Sequence, residues 1–169
     1  MECVNNYVWC IILSHQTDEL HVRKIREGTV IDHIPAGRAL EVLKILNITG
    51  QEGKPVSLVM NVPSKKMGKK DIVKLEEREL SIEEIDKISL IAPNASINII
   101  RNYDVYRKEN VRLPRILKNV LLCANRSCIT NSEREPVKST FYVERETPLR
   151  LRCYYCQRLM EEQDLLRQL

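Results

Sequence analysis

The chain has 169 residues, 43% of them hydrophobic and 30% charged, and a formal net charge of +4, which leaves room for one full domain and a small second one. That mild basicity falls short of the clustered basic face of a dedicated nucleic-acid binder, and no run approaches the roughly 20 apolar residues needed to cross a bilayer. With one Phe and one Trp, the core must be built mostly from Ile, Leu and Val.

The apolar run Tyr7–Leu13 is short and no Lys or Arg precedes it. It fails as a signal peptide and as an anchor, so the expected compartment is the cytoplasm. Cys3 and Cys10 are then expected to be free thiols in a reducing environment. Residues 1–20 read as an extension of unknown role.

From His21 onward, runs of period 2 alternate with two helical patches. Val22–Ile34 reads as a first strand, with Gly28 marking a bend or bulge. Pro35 suits a first helical position, and Ala36, Ala39, Leu40, Leu43 and Leu46 recur at helical spacing. Pro55–Val62 and Lys70–Arg78 read as strands on either side of a turn-rich segment. Ser81-Ile-Glu-Glu84 has the capping-box form and opens a helix carrying Ile82, Ile85 and Ile88 on one side. Ala92-Pro-Asn94 stops it, and Ala95–Arg101 with Tyr103–Arg107 completes the strands. The order strand, helix, strand, strand, helix, strand is the split βαβ (ferredoxin-like) pattern, a sheet with both helices on one face. The predicted class is α+β, with residues 21–110 forming this unit and the charged stretch Arg107–Pro114 forming the junction.

Residues 111–169 are close to the size at which a lone hydrophobic core becomes marginal and a metal helps. Cys123-Ala-Asn-Arg-Ser-Cys128 and Cys153-Tyr-Tyr-Cys156 are two paired-cysteine knuckles with 24 residues between them. Four thiolates suit tetrahedral Zn²⁺, and a closed shell of four leaves no open position for catalysis. A redox role for Cys153-x-x-Cys156 is the competing reading, but the second pair and the missing βα unit count against it. Ile116–Leu122, Thr140–Val143 and Leu149–Arg152 read as short strands around the knuckles, giving a small all-β domain pinned by one structural zinc.

No catalytic constellation is evident. Asp32 and His33 are adjacent, and neighbours on a regular strand point to opposite faces, which forbids a dyad. No phosphate-binding loop and no dinucleotide fingerprint is present. A polar, cationic line of Asp32, Lys70, Lys74, Asn98 and Lys108 does fall on or beside the predicted strands. Taken alone, it is better explained by a solvated sheet face than by a site for an anionic ligand.

Several runs follow one another in order: Gly28-Thr-Val-Ile-Asp-His-Ile-Pro35, Asn61-Val-Pro-Ser64, Met67-Gly-Lys-Lys-Asp-Ile-Val-Lys74, Ala92-Pro-Asn-Ala-Ser-Ile-Asn98, Asn102-Tyr-Asp-Val105 and the two knuckles. From about His21 to the end, the chain resembles the regulatory chain of aspartate carbamoyltransferase. The resemblance implies a non-catalytic subunit whose N-terminal domain binds CTP, ATP and in some members UTP. It also implies a zinc domain that docks on catalytic chains, in an assembly where three regulatory dimers, paired through the N-terminal domains, bridge two catalytic trimers. Neither nucleic acid nor membrane is an implied partner.

Carried over residue by residue, the implied nucleotide positions are Val22, Ile25, Val30, Asp32, His33, Lys70, Lys74, Asn98, Ile100, Tyr103, Val105 and Lys108. The lysines and His33 are implied to face phosphate or ribose, Asp32 the sugar-phosphate part, and backbone near Ile25 and Tyr103 the base. The implied zinc ligands are Cys123, Cys128, Cys153 and Cys156. Arg23 and Lys24 depart from the enterobacterial pattern, which has an acidic and a small residue there; they add positive charge beside the pocket. Two other readings stay on the table: a zinc-ribbon nucleic-acid module using Arg150, Arg152, Tyr154, Tyr155 and Arg158, and a small nucleotide-processing enzyme.

Overall fold

A computed structural model describes residues 23–168; Val22, His21, Cys3, Cys10 and the 1–20 extension lie outside the described residues. Five antiparallel strands form the first sheet: β1 (Gly28–Pro35), β2 (Val56–Ser64), β3 (Gly68–Glu76), β4 (Ser96–Arg101) and β5 (Asp104–Asn110). Their spatial order is β2-β3-β1-β4-β5, the split βαβ arrangement with one strand added at the β4 edge. Two helices connect them, α1 (Ala39–Ile45) and α2 (Ile82–Ile91).

Alternation decides which side faces the helices. Ile31, Val73, Leu75 and Ile97 point to one face and pack with Ala39, Val42, Ile45 and Leu46 of the α1 region and Ile88 of α2. Full burial of each such aliphatic side chain stabilises the fold by about 1.5–3 kcal/mol. The other face carries the alternate residues, among them Val30, Asp32, Lys74 and Asn98. At the start of β1, Gly28 adopts φ +134, and a Cβ there would meet the Leu75 carbonyl oxygen at 2.0 Å. No other residue fits that approach.

The expected capping box at Ser81 is present. The Ser81 hydroxyl accepts from the Glu84 amide at 3.2 Å, and the Glu84 carboxylate accepts from the Ser81 amide at 2.8 Å. Ile82 is a correction, because its side chain is 78% exposed while Ile85 and Ile88 turn inward. Leu40 is likewise exposed. Pro35 ends β1 instead of opening α1, because the chain first turns through Gly37 at φ +89. The first strand is also shorter than expected, since residues 23–27 are not in the ladder.

The second sheet has order β6-β7-β8-β9, made by β6 (Ile116–Lys118), β7 (Thr140–Glu146), β8 (Leu149–Cys153) and β9 (Leu159–Glu161). Sequence reading did not foresee β9, nor the five-residue helix α3 (Glu162–Leu166) that follows it. Phe141, Leu117, Leu151, Met160 and Leu165 form a second core around the cysteines. Leu90 of α2 reaches into that second core, and Ile91 packs against both cores. The ion pair of Arg38 with Glu162 also links the two units. Among the described residues, no helix is long and apolar enough to cross a membrane.

Candidate functional site

The metal centre is built by two turns. In the first, the Cys128 amide donates to the Asn125 carbonyl at 2.9 Å and the Ser127 amide to the Asn125 side chain at 3.1 Å. Asn131 clamps the same loop, its side-chain amide donating to the Cys123 carbonyl at 2.8 Å and to the Asn125 carbonyl at 2.9 Å. In the second turn, the Gln157 amide donates to the Cys153 carbonyl at 3.1 Å with Gln157 in the left-handed region at φ +61. The Cys153 amide donates to the Arg158 carbonyl at 3.0 Å, closing the same turn.

The four sulfurs of Cys123, Cys128, Cys153 and Cys156 all lie within 4.8 Å of one another. Two of the separations are 3.5 Å (Cys123–Cys156) and 3.8 Å (Cys128–Cys153). A tetrahedron with Zn–S bonds of about 2.3 Å has edges of about 3.8 Å, so the donor set and its spacing fit one zinc ion. Electrostatics agree. Burial pushes the Cys123 thiol well above its ordinary value and raises the Cys153 thiol as well. Cys156, where burial is outweighed by the Arg158 amide and by its Cys123 and Asn125 neighbours, is lowered to about 7. Four sulfurs packed this closely hold their thiolate form only against a cation. The zinc is structural, because the four thiolates complete its coordination shell.

The open face of the first sheet gathers the remaining positions. Lys74, Val30, Asn98 and Lys108 are direct cross-strand neighbours on β3, β1, β4 and β5, forming one row across the sheet. One rung further along, Ile100 pairs with Val105. Beside it, the Tyr103 amide donates to the Arg26 carbonyl at 3.0 Å, which brings the β4–β5 turn against the segment containing Ile25. Lys74 donates to the Arg23 carbonyl at 3.0 Å, and its partial burial lowers its pKa below the ordinary lysine value.

At the other end of the face, the Lys70 ammonium lies 2.8 Å from the Asp32 carboxylate. His33 corrects the expectation that it could not meet Asp32. Its Nδ1 lies 3.2 Å from Asp32 Oδ2 and 3.3 Å from the Ser96 hydroxyl. The reason is a bulge. Pairing of β1 with β3 shifts between Ile31 and Ile34, and His33 sits at φ +60, so the alternation of a regular strand is broken there.

Sequence reading missed Asp71, which holds the turn after β1 and the irregularity of β2 at Asn61. Asp71 is fully buried and accepts from the Gly37 amide at 2.8 Å, the Ala39 amide at 3.1 Å and the Asn61 amide at 2.8 Å. The signal was available: Asp71 is in phase with Val73 and Leu75, on the core face of β3. Ser96 and Asn131 carry no comparable sequence signal. Arg150 and Arg152, candidates for a nucleic-acid face, are tied to Glu161 and Glu144 respectively. Tyr142, Tyr154 and Tyr155 stack edge to face on one another.

A charged sheet face joined to a four-thiolate zinc module defines a two-domain, metal-stabilised protein. Residues 20–112 match the family model described as aspartate carbamoyltransferase regulatory chain, allosteric domain, and residues 115–166 match its metal binding domain. The chain is similar to proteins named aspartate carbamoyltransferase regulatory chain from several organisms. The Korarchaeum cryptofilum protein is 60% identical over 152 residues, covering 90% of this chain and 97% of the relative. That of Hyperthermus butylicus is 59% identical, with 89% and 94% covered, and that of Pyrococcus horikoshii 53%, with 88% and 97% covered. The chain belongs to the aspartate carbamoyltransferase regulatory chain family, and is thus a regulatory, non-catalytic subunit with an allosteric and a metal-binding domain.

Proposed function

We propose that residues 21–110 bind the pyrimidine and purine nucleotides CTP, ATP and UTP on the open sheet face, and that residues 111–169 dock on aspartate carbamoyltransferase catalytic chains. The observation that carries the first part is the row Lys74–Val30–Asn98–Lys108 lying beside the Asp32–Lys70–His33 cluster. Lysine ammoniums at two places on one face suit a triphosphate, while Asp32 accepts from ribose hydroxyls. Lys70 is already paired with Asp32, so it orients that carboxylate and completes the charge balance of the site. Ile25, Ile100, Tyr103 and Val105 form the apolar and backbone end that receives the base; Val22, outside the described residues, is assigned to the nucleotide by the resemblance alone.

The nucleotide controls catalysis by linkage. Its effect equals the difference in its affinity for the low- and high-activity states of the assembly. Two regulatory chains pair through their first domains, and three such dimers bridge two catalytic trimers in the cytoplasm. The test is calorimetric titration of zinc-loaded chain with CTP and ATP, followed by mass analysis of its mixture with catalytic trimers before and after chelation. Saturable binding weakened at least tenfold by Lys74→Gln, with a zinc-dependent large complex, is expected. Undiminished binding in Lys74→Gln, or a complex that survives chelation, refutes the reading.

A further inference from the structure

The helices that cover the first core leave a cleft of about 560 Å³ against the zinc domain, on the opposite side of the sheet from the open face. Two of its walls bring cations from different domains. Lys44, in the last turn of α1, and Lys87, on α2, come from one; Lys138 and Arg167 come from the other. No acidic side chain lines it among the described residues. Among the described residues, Lys44, Lys87 and Lys138 have no ion pair, and Arg167 pairs with Asp164 at 3.9 Å. Asn119, at φ +58 with its backbone amide donating to the Ser139 carbonyl at 2.8 Å, and buried Val120 also line the cleft.

Four like charges around one recess repel one another, and a recess lined by one sign of charge concentrates counterions. The volume lies in the range of small-molecule sites, and the mixture of apolar floor and convergent polar groups is that of a ligand pocket. The surrounding contacts make it a junction: the Arg38–Glu162 pair and the insertion of Leu90 into the second core join the same two units.

We propose that this cleft is a second anion site, separate from the sheet face, which takes a small phosphorylated molecule. Bound there, a phosphate group is held by cations from both domains, so occupancy resists their separation. Any effector of this kind acts on the domain junction and not on the nucleotide face.

The test uses the full zinc-loaded chain and inorganic pyrophosphate as probe, read by amide chemical shifts. The amides of Asn119, Val120 and Ser139 should move saturably. Their apparent Kd should weaken at least tenfold in Lys87→Gln/Lys138→Gln, and less than twofold in Lys74→Gln/Lys108→Gln. These side chains lie at the surface or are half-buried, and full zinc content of each variant verifies folding. Three results overturn the proposal: shifts confined to β1, β3 and β4, shifts that grow linearly without saturating, or a cleft Kd unchanged in Lys87→Gln/Lys138→Gln. Because the Lys74/Lys108 variant is read in parallel, failure of the sheet-face reading and failure of this one give different patterns.

Discussion

Asp71→Ala should be among the most damaging single substitutions in the first domain, although Asp71 touches no ligand position. The side chain is fully buried and its two oxygens receive three backbone amides, from Gly37, Ala39 and Asn61. Hydrogen bonds to a charged group contribute about 1.5–3 kcal/mol each, and every buried donor left without a partner costs about 1–3 kcal/mol. Removing the carboxylate also recovers the cost of burying it, so the sum is well below three full bonds. We expect a net loss of about 3–5 kcal/mol. Asp71→Asn should lose less, since one amide oxygen still accepts while its NH₂ faces a donor. The assay is urea unfolding of the zinc-loaded chain, followed through amide signals of β1 and β3 so that the zinc domain does not contribute. With a urea slope of about 1–3 kcal/mol/M, the midpoint should fall by roughly 1–5 M. A loss under about 1 kcal/mol, or equal losses in the Asn and Ala variants, would sink the argument that these three bonds fix the turn between β1 and α1.

Other consequences can be checked separately. Cys153→Ser removes a fully buried ligand and should abolish stoichiometric zinc and unfold the second domain, leaving β1–β5 amide signals in place; zinc analysis with NMR reads both. Leu90→Ala should cost about 2–4 kcal/mol and should loosen the zinc domain from the first sheet, seen as faster hydrogen exchange around Leu117 and Leu121. Retained protection at those sites would refute a shared core. Burial alone would raise the Glu84 carboxyl, but the Ser81 amide and the Arg78 guanidinium outweigh it and hold it below the usual range. A depressed carboxyl stabilises the fold above its unfolded pKa, and that stabilisation disappears as pH falls through the folded value. Exchange in the first turn of α2 should therefore quicken below about pH 4.5, and Glu84→Gln should remove this pH dependence.

How much was legible before any coordinates varied with the physical cause. The zinc ligands and the Ser81 cap are local patterns in which short spacing nearly determines the geometry, and both are in place. Lys74 and Asn98 were legible only as members of a polar line on or beside strands, and their shared face comes from the sheet, where both pair with Val30. Asp32 and His33 were separated wrongly, because a left-handed residue inside a bulge has no signature in His33 itself. Pro35 was compatible with both a strand end and a helix start, and only the Gly37 turn held by Asp71 decides between them. Strand β9 and helix α3 escaped because a three-residue strand is too short to display a period. What pairs it is the sheet: Met160 sits opposite Leu151 in the second core.

Helix α2 holds one further consequence. Ile88 is locked into the first core and Leu90 into the second, two residues apart on one helix. Interiors this closely packed do not deform smoothly, so α2 behaves as an axle keyed at both sides. It cannot roll by even a fraction of a turn within one core without turning the other. The two cores therefore share one rigid element, and a change of packing in either must be accommodated by the same helix.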